Sequence, residues 1–344
     1  MAYVLPGATD YVAQLQSSGV VLHYLGEGLS ANIWKAQKSP RVLWRLWRLI
    51  RQLKPDIVQS WNRPMDTFAG LLARGMSLRW VLSENNSALI YADGRERLRL
   101  WAGRRVDAIA ANSAGGVEYW RQHGVDPSRL HVIPNPIAVE ELRDDDSPCE
   151  WPGELQPGRT ILYIGRFAQQ KNISVMMQAI REVVTQEDAF ALLCGTGELL
   201  DEARSQVRQW GLEQRIVFAG FVARPWQYMK RATGLVSVSL CEGHPNVVAE
   251  AVAVGCPLVV SDIPAHREFL DESRALLVPA GSAEKIARAL RQLLSDPAGA
   301  QQRAQRAKQE CEQWRPERVA ESFERIYADL LEGARQKSED RRQT

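Results

Sequence analysis

The chain has 344 residues, 45% of them apolar, and a formal net charge of +2. That suffices for two domains with real cores, and the near-neutral balance gives no basic excess of the kind a nucleic-acid partner demands, so none is expected. No run of about 18 apolar residues offers a membrane span, the start M-A-Y-V-L-P-G lacks a signal peptide's basic region and long apolar core, and the five cysteines show neither C-x-x-C nor disulfide-like spacing.

A cytoplasmic chain is therefore expected, with Cys194, Cys241 and Cys256, which end or flank apolar runs, as buried thiols of a reducing compartment. Short apolar runs alternate with helical patterns almost throughout, the rhythm of a parallel α/β architecture. In the first half the strands are read at Ala2–Leu5, Val20–Tyr24, Asp56–Gln59, Trp80–Ser83, Ala108–Ala111 and His131–Ile133, with helices at Tyr11–Ser17, Val42–Leu53 and Gly115–His123. In the second half strands are read at Thr160–Ile164, Phe190–Cys194, Ile216–Phe218, Leu235–Ser239, Leu258–Ser261 and Ala275–Val278, with helices at Ile173–Val184, Glu198–Trp210, Val247–Val254 and Glu284–Leu294. The acidic, Pro/Gly-rich stretch Arg143–Arg159 has no periodicity and reads as a linker. The expected organisation is an N-terminal Rossmann-like domain over 1–148, a second over 149–315, and a charged helix over 316–344 that crosses back to the first. Two such domains would face a cleft, with ligands at the carboxyl ends of their strands.

Ser39–Pro55, S-P-R-V-L-W-R-L-W-R-L-I-R-Q-L-K-P, opens on a helix-start signal and sets Arg41, Arg45 and Arg48 on one stripe against Val42, Leu46, Leu49, Ile50 and Leu53. Two readings stand: a helix covering the first sheet with its arginines in water, or a membrane-surface helix over Arg41–Leu53 that meets anionic lipid.

Two constellations carry chemistry. In I-L-Y-I-G-R-F-A-Q-Q-K-N, Ile161–Asn172, a strand ends at Gly165, and Arg166 and Lys171 lie near a helix start. Glycine permits close backbone approach, and two cations beside a helix N-terminus suit a diphosphate, although two solvated basic residues would look the same. In C-E-G-H-P-N-V-V-A-E, Cys241–Glu250, a strand gives way to a turn, Pro245 and Asn246 read as helix-start residues with Asn in a capping role, and Glu250 lies about one turn inside the helix. The N–H groups of Gly243 to Val247, Pro245 excepted, would point into the cleft, and carboxylates accept well from vicinal hydroxyls. The plain alternatives are a dipole-favouring Glu242 and a solvated Glu250. His244 has no second histidine at ligand spacing, so no metal site is expected.

Taken in order, G-R-F-A-Q-Q-K-N, L-L-C-G-T-G-E-L, F-A-G-F and E-G-H-P-N-V-V-A-E-A-V-A-V-G-C-P-L-V-V-S-D resemble the retaining glycosyltransferases of family 4, with the GT-B fold, including their E-x7-E motif. P-D-I-V-Q-S-W, A-I-A-A-N-S and H-V-I-P-N-P-I extend the resemblance into the first half. It implies a retaining transfer of a hexose from a UDP- or GDP-sugar to a glycan or lipid-linked acceptor, in surface polysaccharide or glycolipid synthesis; association with the inner face of the membrane belongs to the second reading of the basic helix. It implies that Arg166, Lys171 and Glu242 are catalytic: Arg166 and Lys171 bind the diphosphate and stabilise the leaving nucleotide, and Glu242 contacts the donor sugar. Glu250 would hold the ribose, Gly165, Gly243, His244, Asn246 and Val247 would help hold sugar and phosphate, and Phe221 and Val222 would lie near the base. No cofactor beyond the nucleotide sugar, and no metal, is implied, since the basic pair takes the divalent ion's role.

Two departures accompany the resemblance. Met1 leads straight into Ala2–Leu5, which looks like the family's second strand, so the N-terminal βα unit is expected to be missing. In W-V-L-S-E-N-N-S, Glu84 and Asn85 stand where many members carry a histidine, and they become the acceptor-side candidates or an ordinary surface turn. The alternatives for the whole chain are an N-terminally degraded, inactive nucleotide-sugar-binding protein and a nucleotide-sugar epimerase on the same fold.

Overall fold

A computed structural model describes residues 2–3, 15–26, 39–76, 78–85, 96–147, 149–152 and 155–343. The expected strand residues Val4–Leu5, positions 11–14 of the Tyr11–Ser17 helix, and Asn86–Ser87 lie outside them. Among the described residues no helix is long and apolar enough to cross a membrane.

In the first half, β1 (Ala2–Tyr3) pairs in parallel with β2 (His23–Tyr24). Helix α1 (Pro40–Leu53) starts where the Ser39 hydroxyl accepts from the Arg41 N–H, with Pro40 in the first turn, and closes on Lys54 in the left-handed region. It buries Val42 and Ile50, and Val42 packs with Leu25, Leu46, Leu49, Met65 and Phe68, while Trp44 stays exposed. The remaining elements are β3 (Ile57–Ser60), α2 (Arg63–Met76), β4 (Arg79–Glu84), α3 (Glu96–Gly103), β5 (Ala108–Ala111), α4 (Ala114–Gln122) and β6 (Leu130–Val132). Strands β3 to β6 form an all-parallel sheet in sequence order. Trp80, Leu82 and Ile109 point to one face, where they meet Ala69, Ala102 and Trp120. Val81, Ala108 and Ala110 point to the other and meet Val319 and Ile326 from the end of the chain.

Helix α5 (Val139–Asp144) opens what reads in sequence as a linker. Its Val139 and Leu142, with Ile137, bury among Val248, Val252 and Trp314 of the second half, and Asp145 accepts from Trp226 Nε1 at 2.7 Å. The connection is therefore docked on the second domain, whose core begins before residue 149.

The second half runs β7 (Thr160–Ile164), α6 (Ile173–Gln186), β8 (Phe190–Cys194), α7 (Leu200–Trp210), β9 (Ile216–Gly220), α8 (Pro225–Met229), β10 (Gly234–Ser237), α9 (Asn246–Val254), β11 (Leu258–Ser261), α10 (Pro264–Arg267), β12 (Leu276–Val278), α11 (Ala283–Ser295) and α12 (Pro297–Ala307). After a 3₁₀ stretch, α13 (Pro316–Gln343) lays Val319, Phe323, Ile326 and Tyr327 on the first sheet, and the Tyr327 hydroxyl donates to Gln59. All six strands are parallel, in the order β9-β8-β7-β10-β11-β12. This is the doubly wound arrangement, whose order reverses between β7 and β10 and leaves a crevice at their carboxyl ends. The thiols of Cys194, Cys256 and Cys311 are buried, whereas Cys241, read as a buried thiol, is half-exposed at this crevice.

Candidate active site

The loops leaving β7 and β10 form the two walls of the crevice. Gly165 donates to the Cys194 carbonyl at 3.0 Å and Phe167 to that of Thr196 at 2.8 Å, so the β7 loop lies against the Gly195-Thr196-Gly197 turn. Both glycines have positive φ, and a Cβ would stand 1.9 Å from the Gly165 oxygen at Gly195 and 2.5 Å from the Phe167 oxygen at Gly197. Only glycine fits either position. Beyond the turn, Asn172 takes the left-handed conformation and its amide donates to the carbonyls of Val238 (3.1 Å) and Ala280 (2.7 Å). Gln170 completes the stitching: its side chain donates to the Cys241 carbonyl at 2.7 Å, and its carbonyl accepts from the Leu240 N–H at 2.9 Å. The two walls are one rigid unit.

On this unit stand the two cations. Arg166 is exposed, with no hydrogen-bond or ion-pair partner for its side chain among the described residues. Lys171 Nζ lies 2.5 Å from Glu242 Oε1, the pair being only 23% and 9% exposed. Beneath them His266 is fully buried and held near pKa 4 by that burial; its Nδ1 meets the Ser261 carbonyl at 2.8 Å, and its Nε2 has no partner among the described residues.

The turn into α9 differs in detail from the sequence expectation. The cap position is Pro245, without a side-chain cap, and Asn246 is the first helical residue. Its side-chain oxygen accepts from Asn135 of the first domain at 2.8 Å and lies 3.1 Å from His244 Nδ1, and its N–H closes on the His244 carbonyl at 3.0 Å. Asn246 is thus a bridge rather than a cap, and its N–H is not open to a ligand. His244 packs at right angles to Trp314, 5.7 Å between ring centres, and burial lowers its pKa, which keeps the imidazole neutral. Gly243 is buried and Val247 half-buried. Glu250, one turn into the helix, has no partner among the described residues, and burial raises its carboxyl to about 7. Phe221, just past β9, is 80% exposed, whereas the neighbouring Val222 packs onto the core.

On the first-domain side, Asn85 is exposed and donates to the Trp61 carbonyl at 3.2 Å. Glu84 does not reach the cleft. It is 1% exposed and accepts from Arg99 (2.6 Å) and Trp120 Nε1 (3.0 Å), while Arg99 also holds the buried Asp66 at 2.8 Å. The expected acceptor contact at Glu84 gives way to a buried ion-pair network, because β4 ends one residue later than the sequence pattern suggests. Sequence reasoning also missed Glu268. Its carboxylate crosses to the first domain and accepts from the Ala114 N–H at 2.9 Å and from Gly115, at the start of α4, and burial raises its pKa. Nothing in P-A-H-R-E-F marks it, whereas Asn135, in the quoted H-V-I-P-N-P-I stretch, carried at least a positional signal.

Two family models tile the chain: Glycosyltransferase Family 4 over residues 8–141 and Glycosyl transferases group 1 over residues 158–296. The chain belongs to this glycosyltransferase family. Among curated relatives, it is 27% identical to the lipopolysaccharide core biosynthesis mannosyltransferase LpcC of Rhizobium leguminosarum bv. viciae, covering 95% of this chain and 94% of that one. It is 26% identical to the N-acetylgalactosamine-N,N'-diacetylbacillosaminyl-diphospho-undecaprenol 4-alpha-N-acetylgalactosaminyltransferase of Campylobacter jejuni, over 56% of this chain. It is also 26% identical to the lipopolysaccharide 1,6-galactosyltransferase of Salmonella typhimurium, over 46%. The match spans about half the length of these last two relatives, 52% and 43%. Anabaena Alr3699/HepE, solved in complex with UDP, superposes with a TM-score of 0.79 at 15% identity, over 95% of this chain and 91% of that one. That likeness, with two facing parallel-sheet domains, makes the fold GT-B.

Proposed function

We propose that the protein is a glycosyltransferase that moves a hexose from a UDP- or GDP-sugar, with retention, to a glycan or lipid-linked acceptor of a surface polysaccharide or glycolipid. The observation that carries this reading is the Lys171–Glu242 pair, which joins the loop after β7 to the turn after β10 where the strand order of the second sheet reverses, with Arg166 on the first loop and Glu250 on the helix that follows the second. Arg166 and Lys171 take the diphosphate and the charge that grows on it as the sugar leaves, a role that needs no divalent ion. Glu242 faces the sugar, Glu250 accepts from the ribose hydroxyls, and the exposed Phe221 ring offers a surface for the base. Of the acceptor-side candidates, Asn85 is retained.

The relatives named for lipopolysaccharide and undecaprenol-linked substrates support an acceptor of that kind. A peripheral contact with anionic membrane fits α1, where Trp44 and Arg48 remain outside the packed face formed by Val42 and Ile50, although Arg45 already donates to the Leu25 carbonyl at 2.7 Å. Incubation with UDP- and GDP-sugars, following nucleotide release and the fate of the sugar, tests the assignment. Release with a bound acceptor supports transfer, an epimerised sugar overturns it in favour of isomerisation, and binding without turnover overturns it in favour of a binding protein. Flotation with anionic liposomes tests the membrane contact: binding that persists after Arg45 and Arg48 become Glu would remove α1 as its cause.

A further inference from the structure

The donor crevice holds a feature that neither its fold nor its residue types require: the lysine assigned to the diphosphate is already occupied. Lys171 Nζ is 2.5 Å from Glu242 Oε1, and the two groups are largely withdrawn from water, at 23% and 9% exposure. The loops that carry them are fixed to each other by Gln170 and Asn172, so neither backbone can retreat from the other. A phosphate oxygen that hydrogen-bonds Lys171 would therefore come within about 5 Å of the Glu242 carboxylate, where like charges repel appreciably. The titratable side chains that sense this carboxylate from the neighbouring elements, Tyr163 on β7 and His266 on α10, are both kept neutral by burial and cannot offset it.

We propose that Glu242 distinguishes the intact nucleotide sugar from the spent nucleoside diphosphate, and that re-forming the Lys171–Glu242 pair drives product release. The inference rests on the donor-site reading above. With an intact donor, Lys171 turns to the diphosphate and Glu242 accepts from the sugar hydroxyls, so both charges stay partnered. Once the sugar has left, the carboxylate faces a more highly charged diphosphate with no hydroxyl to accept from. Lys171 returns to Glu242, and the nucleotide loses one of its two cations.

Calorimetric titration of the full chain with UDP and with GDP tests this, comparing wild type, Glu242→Gln and Glu250→Gln. Whichever diphosphate binds wild type should bind Glu242→Gln about tenfold more tightly, the order expected for removing one like charge at that distance in a partly solvated cleft. The corresponding monophosphate, which lacks the terminal phosphate, should bind both within twofold, and Glu250→Gln should show no gain for the diphosphate. Glu242→Ala supplies the same readout where the Gln variant folds poorly. Unchanged or weaker diphosphate binding in the Glu242 variants overturns the gate while leaving the donor site standing. A wild-type chain that binds neither diphosphate overturns the donor-site reading, and the gate with it.

Discussion

Replacing Gly195 by alanine probes the scaffold of the crevice at its least tolerant point. At φ 135° an L-residue is strained, and the added methyl would sit 1.9 Å from the Gly165 carbonyl oxygen, a backbone atom that no rotamer change can move aside. Strain of roughly 1–3 kcal/mol from the backbone and a similar roughly 1–3 kcal/mol from overpacking give a destabilisation of about 2–6 kcal/mol. The same loop would shift, because Gly165 and Phe167 donate to the carbonyls of Cys194 and Thr196, and Arg166 stands between them. Urea unfolding followed by circular dichroism should show the midpoint falling by about 1–2 M, and diphosphate binding should weaken even at low denaturant. Gly211 is the internal control. It too has positive φ, 67°, but nothing lies within 4 Å of its Cβ position, so Gly211→Ala should lose only about 1 kcal/mol. If Gly195→Ala unfolds within 1 kcal/mol of Gly211→Ala, the close approach of the β7 and β8 loops is wrong, and with it the placement of Arg166.

Arg166→Ala should depress sugar transfer by a factor on the order of 100 while leaving the melting temperature unchanged, since an exposed guanidinium with no hydrogen-bond or ion-pair partner among the described residues contributes little to stability; a melting shift comparable to that of Gly195→Ala would show a structural role instead. Glu250, raised to about 7 by burial, should make nucleotide affinity depend on pH. Ribose hydroxyls bind the ionised carboxylate, so affinity falls as pH drops through 7, by at most about tenfold per unit, and levels off above it. Titration of the phosphate cancels in the difference between wild type and Glu250→Gln, and a flat difference from pH 5 to 8 would contradict the ribose role. Glu268→Ala removes the carboxylate from the N–H groups of Ala114 and Gly115. Small-angle scattering should record a more open pair of domains and the transfer rate should fall, while diphosphate affinity, set within the second domain, stays within twofold; an unchanged scattering profile would mean that other contacts hold the cleft.

The inner strands of the second domain were legible because each is a short apolar run buried on both faces and bounded by turn residues. Thr160–Ile164, Phe190–Cys194 and Leu258–Ser261 have the limits read from sequence. Their spatial order was not legible, yet it is the order that creates the crevice. Helix α2 was missed because R-P-M-D-T-F-A-G-L-L-A-R-G-M carries internal glycines that lower its helical signal, and Gly70 is needed there for close packing on Trp80 and Ala102. The site motifs could be read locally, but which neighbours their side chains meet could not. Glu84 looked like a surface acid in an Asn-rich turn, and only the approach of Arg99 and Trp120, 15 and 36 residues further on, makes it a buried ion-pair partner. Asn246 looked like a cap because asparagine caps helices, and the contact that claims it comes from Asn135, 111 residues away.

That last contact bears on how the two domains cooperate. Among the described residues, two bonds between the domains lie beside the crevice: Asn135 to Asn246 at the start of α9, and Glu268, just beyond α10, to the first turn of α4. Asn246 is also the partner of His244, whose ring is wedged against Trp314, and the Trp314 carbonyl accepts from the Ile137 N–H in the connection between the domains. Movement of the first domain therefore pulls on the turn that begins with Glu242, rather than on a distant hinge alone. The turn that carries Glu242 and the face of the first domain opposite it are in this way held by the same few bonds.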